Sequence, residues 1–184
     1  MPKKFEKEFI SYCEIQNLEV NPNQIKVIKK LEDYHNINYK SFFSKLFSKQ
    51  KTKKGFYLYG GVGVGKTMIL NFFYDHLEEK KLKKHFNEFM LGFHDFVHEQ
   101  KEKNEENVIN QFVKNLKSKA SLVYFDEFQV TNIVDAMILG KLFEQIFKED
   151  IKIILTSNTK ISELYKEGLQ REQFIPFIKI MEDQ

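Results

Sequence analysis

Apolar residues recur along this chain with two different spacings, and the change between them divides it. Up to residue 54 no stretch carries the short continuous apolar run of a buried strand. Instead Ile25, Ile28 and Leu31 fall at helical spacing behind Asn21 and Asn23, either of which can cap a helix. A second short helix is expected from Tyr39 to Ser48, with Phe42, Phe43, Leu46 and Phe47 on its inner side, and SKQKTKK after it reads as an exposed linker. From Gly55 onward strands and helices alternate. GFYLY (Gly55 to Tyr59) is a short apolar strand ending in glycines, and a helix carrying Met68, Leu70, Phe72, Phe73 and Leu77 runs from Lys66 to about Lys80. HFNEFM (His85 to Met90) reads as a second strand or a strand-to-helix junction, followed by helices to about Lys119. SLVYF (Ser121 to Phe125) and IKIILTS (Ile151 to Ser157) are buried strands on either side of an amphipathic helix from Asn132 to Lys148. Two short helices, near Ile161 to Glu167 and Arg171 to Met181, complete the pattern. Continuously apolar strands separated by helices predict an α/β fold, a mostly parallel sheet of about four strands flanked by helices. Residues 1–54 form the expected helical lead-in and linker, and 55–184 the core.

Composition narrows the class without changing this picture. Of 184 residues 42% are hydrophobic and 30% charged, a globular balance. No apolar run approaches the ~20 residues that cross a bilayer. The N-terminal MPKKFEKEFISYCEIQ mixes Lys with Glu, unlike a secretory or transit signal, so the cytoplasm is the expected location. Cys13, the only cysteine, excludes an internal disulfide and is expected to be half-buried. Net charge is +3, yet Arg171 is the sole arginine among many lysines, so any role for a planar guanidinium falls on it alone.

The chemistry concentrates at the ends of the predicted strands. Gly60-Gly61-Val62-Gly63-Val64-Gly65-Lys66-Thr67 satisfies G-x-x-x-x-G-K-[ST] at every fixed position, between an apolar strand and a helix. Glycines let such a loop turn its N–H groups toward phosphates, and the helix behind it adds its positive end. Lys66 is expected on the β- and γ-phosphates and Thr67 on Mg²⁺, so ATP with Mg²⁺ is the expected ligand. The dinucleotide pattern G-x-G-x-x-G fails, because Lys66 stands where its third glycine belongs. Asp126 and Glu127 close the strand LVYF, Asp126 to orient the waters on the metal and Glu127 to polarise the attacking water. A second acid favours a hydrolase over a simple kinase. Asn158, at the end of the last strand, can hold that water or the γ-phosphate. Arg171 suits an arginine finger acting across a subunit boundary. His94 and His98 stand four apart with Asp95 between, but the Glu of the zinc pattern is missing and no third ligand is evident, so they read as structural.

The strings YLYGGVGVGKTM, HFNEFM, YFDEFQVTNIVDAMILGKLF, LTSN and LYKEGLQREQFIPFI resemble the ZapE family of AAA+ ATPases, bacterial cell-division proteins with mitochondrial relatives. The resemblance runs from Gly55 to about Phe177 and is carried chiefly by FDEFQV and GLQR. It implies a P-loop NTPase with an AAA+ core, a ring-forming homo-oligomer, a tubulin-like division protein as partner, and peripheral association with the inner membrane. Nucleic acid is not an expected partner. Carried over by position, Lys66 and Thr67 are the phosphate-loop pair, Asp126 and Glu127 the metal and catalytic acids, Asn158 the sensor and Arg171 the finger. Three positions depart from the family's usual residues: Val64 for a basic residue, Asn87 for His, and Asn132 for Asp. The family continues into a further strand and a helical lid, which the sequence as written, ending at Gln184, does not include; it is therefore expected to be C-terminally truncated. Two other readings follow: a hydrolysis-deficient nucleotide-binding partner module, and an ATPase that loads proteins onto DNA. The low net charge argues against the second.

Overall fold

Three of the sheet's four strands are short apolar runs, and all of its pairings are parallel. The computed structural model describes residues 4–38, 53–100 and 104–183. Strands β1 (Gly55–Tyr59), β2 (Lys81–His85), β3 (Leu122–Asp126) and β4 (Lys152–Ser157) lie side by side in the order β1-β4-β3-β2. β4 is therefore inserted between the strand that feeds the glycine loop and the strand that ends in the acidic pair. Its register pairs Leu58 with Thr156 and Tyr59 with Ser157 on one side, and Phe125 with Leu155 on the other. Between the strands run α3 (Lys66–Asp75), α4 (Phe86–Glu99), α5 (Glu105–Lys119) and α6 (Ile133–Lys148). Helices α1 (Lys4–Ile15) and α2 (Pro22–Asn38) precede the sheet and α7 (Ile175–Asp183) follows it.

Alternation along each strand sends side chains to two separate cores. Val123, Phe125, Ile153 and Leu155 face α4 to α7, where Phe86, Phe128, Phe143 and Phe177 are fully buried. Leu122, Tyr124 and Ile154 face the other way, onto α1, α2 and α3. Each buried Phe or Leu contributes about 1.5–3 kcal/mol through removal from water, so helices on both faces are a condition of the sheet's stability rather than decoration.

Several boundaries differ from the sequence expectation, each for a physical reason. Of the two readings of HFNEFM the structure takes the strand-to-helix junction, with Phe86 opening α4 and His85 closing a second strand that is KLKKH. It pairs only with β3 and is an edge, so Lys83, Lys84 and His85 stay exposed and no apolar run announces it. Phe86, Phe89, Met90 and Phe93 then fall at helical spacing and form the buried face of α4. Helix α3 stops at Asp75, where His76 Nδ1 meets the Phe72 carbonyl. Helix α1 is an addition to the expected pattern. Its Phe5, Phe9 and Cys13 lie at i, i+4 and i+8 and all are buried, so Cys13 is enclosed rather than half-buried, and burial pushes its thiol pKa up. Asn21 supplies the cap of α2, its Oδ1 accepting from the Asn23 N–H at 2.8 Å. The helix expected at Tyr39 to Ser48 and most of the linker after it fall outside the described residues. The region after β4 holds two short 3-10 turns, Ile161–Glu163 and Arg171–Gln173, before α7.

The lead-in is bonded into the core rather than appended to it. Phe9 is fully buried with its ring 5.1 Å from that of Phe72 on α3, and Lys29 pairs with Glu6 at 3.0 Å. Phe9→Ala is expected to cost about 3–5 kcal/mol and to lower the urea midpoint of the whole chain in a single transition. An unchanged main transition preceded by a separate loss of helix would mean that α1 is held independently of the sheet.

Candidate functional site

A helix that opens on glycines leaves its first N–H groups pointing at whatever lies before it. α3 begins at Lys66 directly behind Gly65, whose φ is 84°, and Gly63 sits at 80°, both in the left-handed region open to glycine. A Cβ placed on Gly61 or Gly63 would meet nothing within 4 Å, so the loop borders space that no side chain fills. The Lys66 side chain folds back across this loop. Its Nζ donates to the carbonyls of Gly60 at 2.9 Å and Gly61 at 2.8 Å, and to Asn158 Oδ1 at 2.8 Å. Each acceptor is neutral, and phosphate oxygens would replace them with stronger charge-assisted bonds. Asn158 reaches this point because β4 lies beside β1, where the Gly60 N–H donates to the Ser157 carbonyl at 3.2 Å.

The acidic pair stands one strand further across. Asp126 ends β3 on the same face as Leu122 and Tyr124, toward α3, and is 5% exposed. Its Oδ1 accepts from Thr67 Oγ1 at 3.3 Å, from Thr156 Oγ1 at 2.5 Å and from the Glu127 N–H at 3.2 Å. A buried carboxylate needs such donors, and this one has three. Thr156 Oγ1 also accepts from the Glu127 N–H at 3.0 Å. That contact accompanies a backbone turn at Glu127, with φ 56°, which carries the Glu127 side chain outward to 70% exposure. His85 Nδ1, across from Asp126 in register, lies 3.9 Å from Glu127 Oε2. Below this group Tyr124 buries a hydroxyl that meets no partner, and burial, with Asp126 beside it, raises its pKa. On the opposite face Tyr57 donates to the Thr159 carbonyl at 2.7 Å, and burial pushes its pKa up to about 12.

The residues fit a hard divalent cation. Thr67 Oγ1 and Asp126 Oδ1 converge from helix and strand, and oxygen donors of this kind, with water and phosphate oxygens, form the usual magnesium set. Among the described residues no group of three or more His, Cys, Asp or Glu could hold a metal ion by itself. His94 is taken up otherwise, its Nε2 lying 2.6 Å from Asp135 Oδ1. Asn132 caps α6, its Oδ1 accepting from the Asp135 N–H at 3.0 Å, a duty Asn performs as well as Asp.

Lys66, Thr67, Asp126, Glu127 and Asn158 are thus gathered at the ends of three adjacent strands. Arg171 is held apart, its Nη2 donating to the Ser162 carbonyl at 2.8 Å while its Nε is buried without a partner. The turn before it depends on Gly168, since a Cβ there would come within 2.3 Å of the Tyr165 ring. Three participants escaped the sequence reading. Thr156 and His85 are ordinary strand residues whose relevance comes from register. Gln24, whose Nε2 donates to the Val64 carbonyl at 3.2 Å, sits 40 residues away from the loop it touches.

Residues 12–184 match the model of the AFG1-like ATPase family. The chain is 40% identical over 146 residues to lactation elevated protein 1 homolog B of Danio rerio, covering 74% of this chain and 29% of that protein. It is 38% identical over 132 residues to the cell division protein ZapE of Escherichia coli K12, covering 71% of this chain and 35% of ZapE. The chain therefore spans about a third of the length of these relatives. A crystal structure of DnaI superposes with a TM-score of 0.57 at 20% identity, over 91% of this chain and 85% of that one, a likeness of fold.

Thr156 offers a direct test of the site's geometry. Thr156→Val leaves Asp126 short of a donor and removes one acceptor of the Glu127 N–H, for an expected loss of about 1–3 kcal/mol in urea denaturation. Thr156→Ser, which keeps the hydroxyl, should lose far less. Equal losses for the two would assign the effect to packing of the methyl group.

Proposed function

The chain belongs to the AFG1-like ATPase family, and from that premise we propose that it binds Mg·ATP across the ends of β1, β4 and β3 and hydrolyses it. The observation that carries this reading is the convergence of Lys66 Nζ on Asn158 Oδ1 at 2.8 Å beside Thr67 Oγ1 and Asp126 Oδ1 at 3.3 Å. A cation, a neutral polar group, a hydroxyl and a carboxylate come from three separate segments to one place, which is more than a glycine loop alone requires.

In this reading the loop from Gly60 to Thr67 cradles the phosphates and Lys66 exchanges its carbonyl acceptors for phosphate oxygens. Thr67 and Asp126 would hold Mg²⁺, which would supply charge neutralisation at the phosphate oxygens. Glu127, turned outward and exposed, takes the proton of the attacking water. Asn158 orients that water or the γ-phosphate. Arg171 serves a neighbouring subunit's site, for which its Nη2 exchanges the Ser162 carbonyl for a phosphate oxygen. Such a finger presupposes a homo-oligomer. Similarity to the cell division protein ZapE supports a role in cell division. A tubulin-like partner at the inner membrane is part of this proposal and rests on the sequence resemblance alone. Among the described residues no helix is long and apolar enough to cross a membrane.

Two substitutions separate binding from chemistry. Lys66→Ala is expected to weaken ATP binding at least tenfold, about 1.4 kcal/mol, by calorimetric titration; unchanged affinity would remove the phosphate-loop assignment. Glu127→Gln should bind ATP as the parent does while phosphate release slows on the order of a hundredfold. Normal turnover in that variant would mean another group accepts the proton.

A further inference from the structure

We propose that Gln24 reads the base of the nucleotide, its side-chain amide pairing with the amino edge of adenine; the inference rests on the nucleotide site proposed above. Gln24 lies in the first turn of α2, and its Nε2 donates to the Val64 carbonyl at 3.2 Å, so the lead-in touches the glycine loop directly. This approach is close. A Cβ at Gly65 would come within 2.7 Å of the same Nε2, so glycine at 65 makes room for the amide as well as for the left-handed turn.

The other half of the amide is unsatisfied. Gln24 Oε1 is buried and meets no donor, a condition that costs free energy unless something supplies one. Gln24 also lines a cavity of about 390 Å³ between α2 and the loop, with Val27, Leu58, Val64 and Ile69 as apolar walls and Lys66 among the lining residues. Lys66 fixes which end faces phosphate, so the base of a bound nucleotide enters between the apolar walls, beside Gln24. Adenine presents an N6 amino donor next to the N7 acceptor, the pattern an amide matches in both of its halves. Guanine and hypoxanthine present a carbonyl oxygen at C6, which sets acceptor against acceptor at Oε1. A site built around a hydrogen bond rejects an analogue that lacks it more strongly than an apolar pocket does. The inference thus gives the N-terminal lead-in a chemical task, discrimination of ATP from other purine triphosphates.

The test is equilibrium binding of ATP and of inosine triphosphate, which differs at C6, to the full chain and its variants. The full chain should prefer ATP by about tenfold or more, and Gln24→Ala should bring the two affinities within about twofold of each other. Gln24→Glu keeps an acceptor for the amino group and should keep the preference. Lys66→Ala should weaken both nucleotides alike and leave their ratio unchanged. Should Gln24→Ala fail to fold by circular dichroism, Gln24→Met, similar in length, serves for the same comparison. A wild-type preference that survives loss of the amide would overturn the assignment of Gln24. So would equal binding of the two nucleotides with Lys66→Ala still weakening both, an outcome that leaves the phosphate loop intact. Failure of the full chain to bind either nucleotide would remove both readings together.

Discussion

The insertion of β4 between β1 and β3 is the constraint on which the rest of this structure depends. Neighbouring strands lie about 4.8 Å apart, so β1 and β3, two strands apart, end about 10 Å from each other. That interval is fixed by backbone hydrogen bonds rather than by flexible side chains. The strand in the middle fills the interval with a short polar run. Thr156 bonds to Asp126, Ser157 Oγ donates to the Phe128 carbonyl at 2.8 Å, and Asn158 accepts from Lys66. A single strand end therefore ties the loop on one side to the acids on the other.

That arrangement is rigid because the strands beneath it are buried. All five residues of β3 are buried, as are the last five of β4. Shifting either strand by one residue would turn Asp126 or Thr156 from the α3 face toward the opposite core and expel apolar side chains in exchange. The buried polar residues of these two strands, Asp126, Thr156 and Ser157, stand at their carboxyl ends, where hydrogen bonds satisfy them. The site and the core are consequences of one register.

The lead-in extends this logic beyond the sheet. α1 and α2 cover the face onto which Leu122, Tyr124 and Ile154 project, and the same packing brings the first turn of α2 against the glycine loop. Packing and contact with the site come from one placement. On the other face, the Tyr165 ring seated under Gly168 sets the turn that presents Arg171, away from the strand ends. The two regions differ in what they contact: one closes on the glycine loop, and the other holds its guanidinium against the Ser162 carbonyl.

The sequence by itself determined the α/β class, the strands β1, β3 and β4 and the glycine loop. Continuous apolar runs have few other uses in a short segment, and the loop needs its glycines in a fixed order whatever surrounds them. Lys66, Thr67, Asp126, Glu127 and Asn158 were legible for the same reason, being polar residues at the ends of such runs. The strand β2 was not legible, because an edge strand is paired on one side only and its lysines remain in water. Helix α1 was hidden by the Lys and Glu between Phe5, Phe9 and Cys13, whose shared face acquires meaning only against α3. The parts played by Thr156 and Gln24 were decided by tertiary structure alone. A hydroxyl on a buried strand or an amide in a helix's first turn has no distinctive pattern. Strand order and helix packing bring them to Asp126 and Val64, 30 and 40 residues away along the chain.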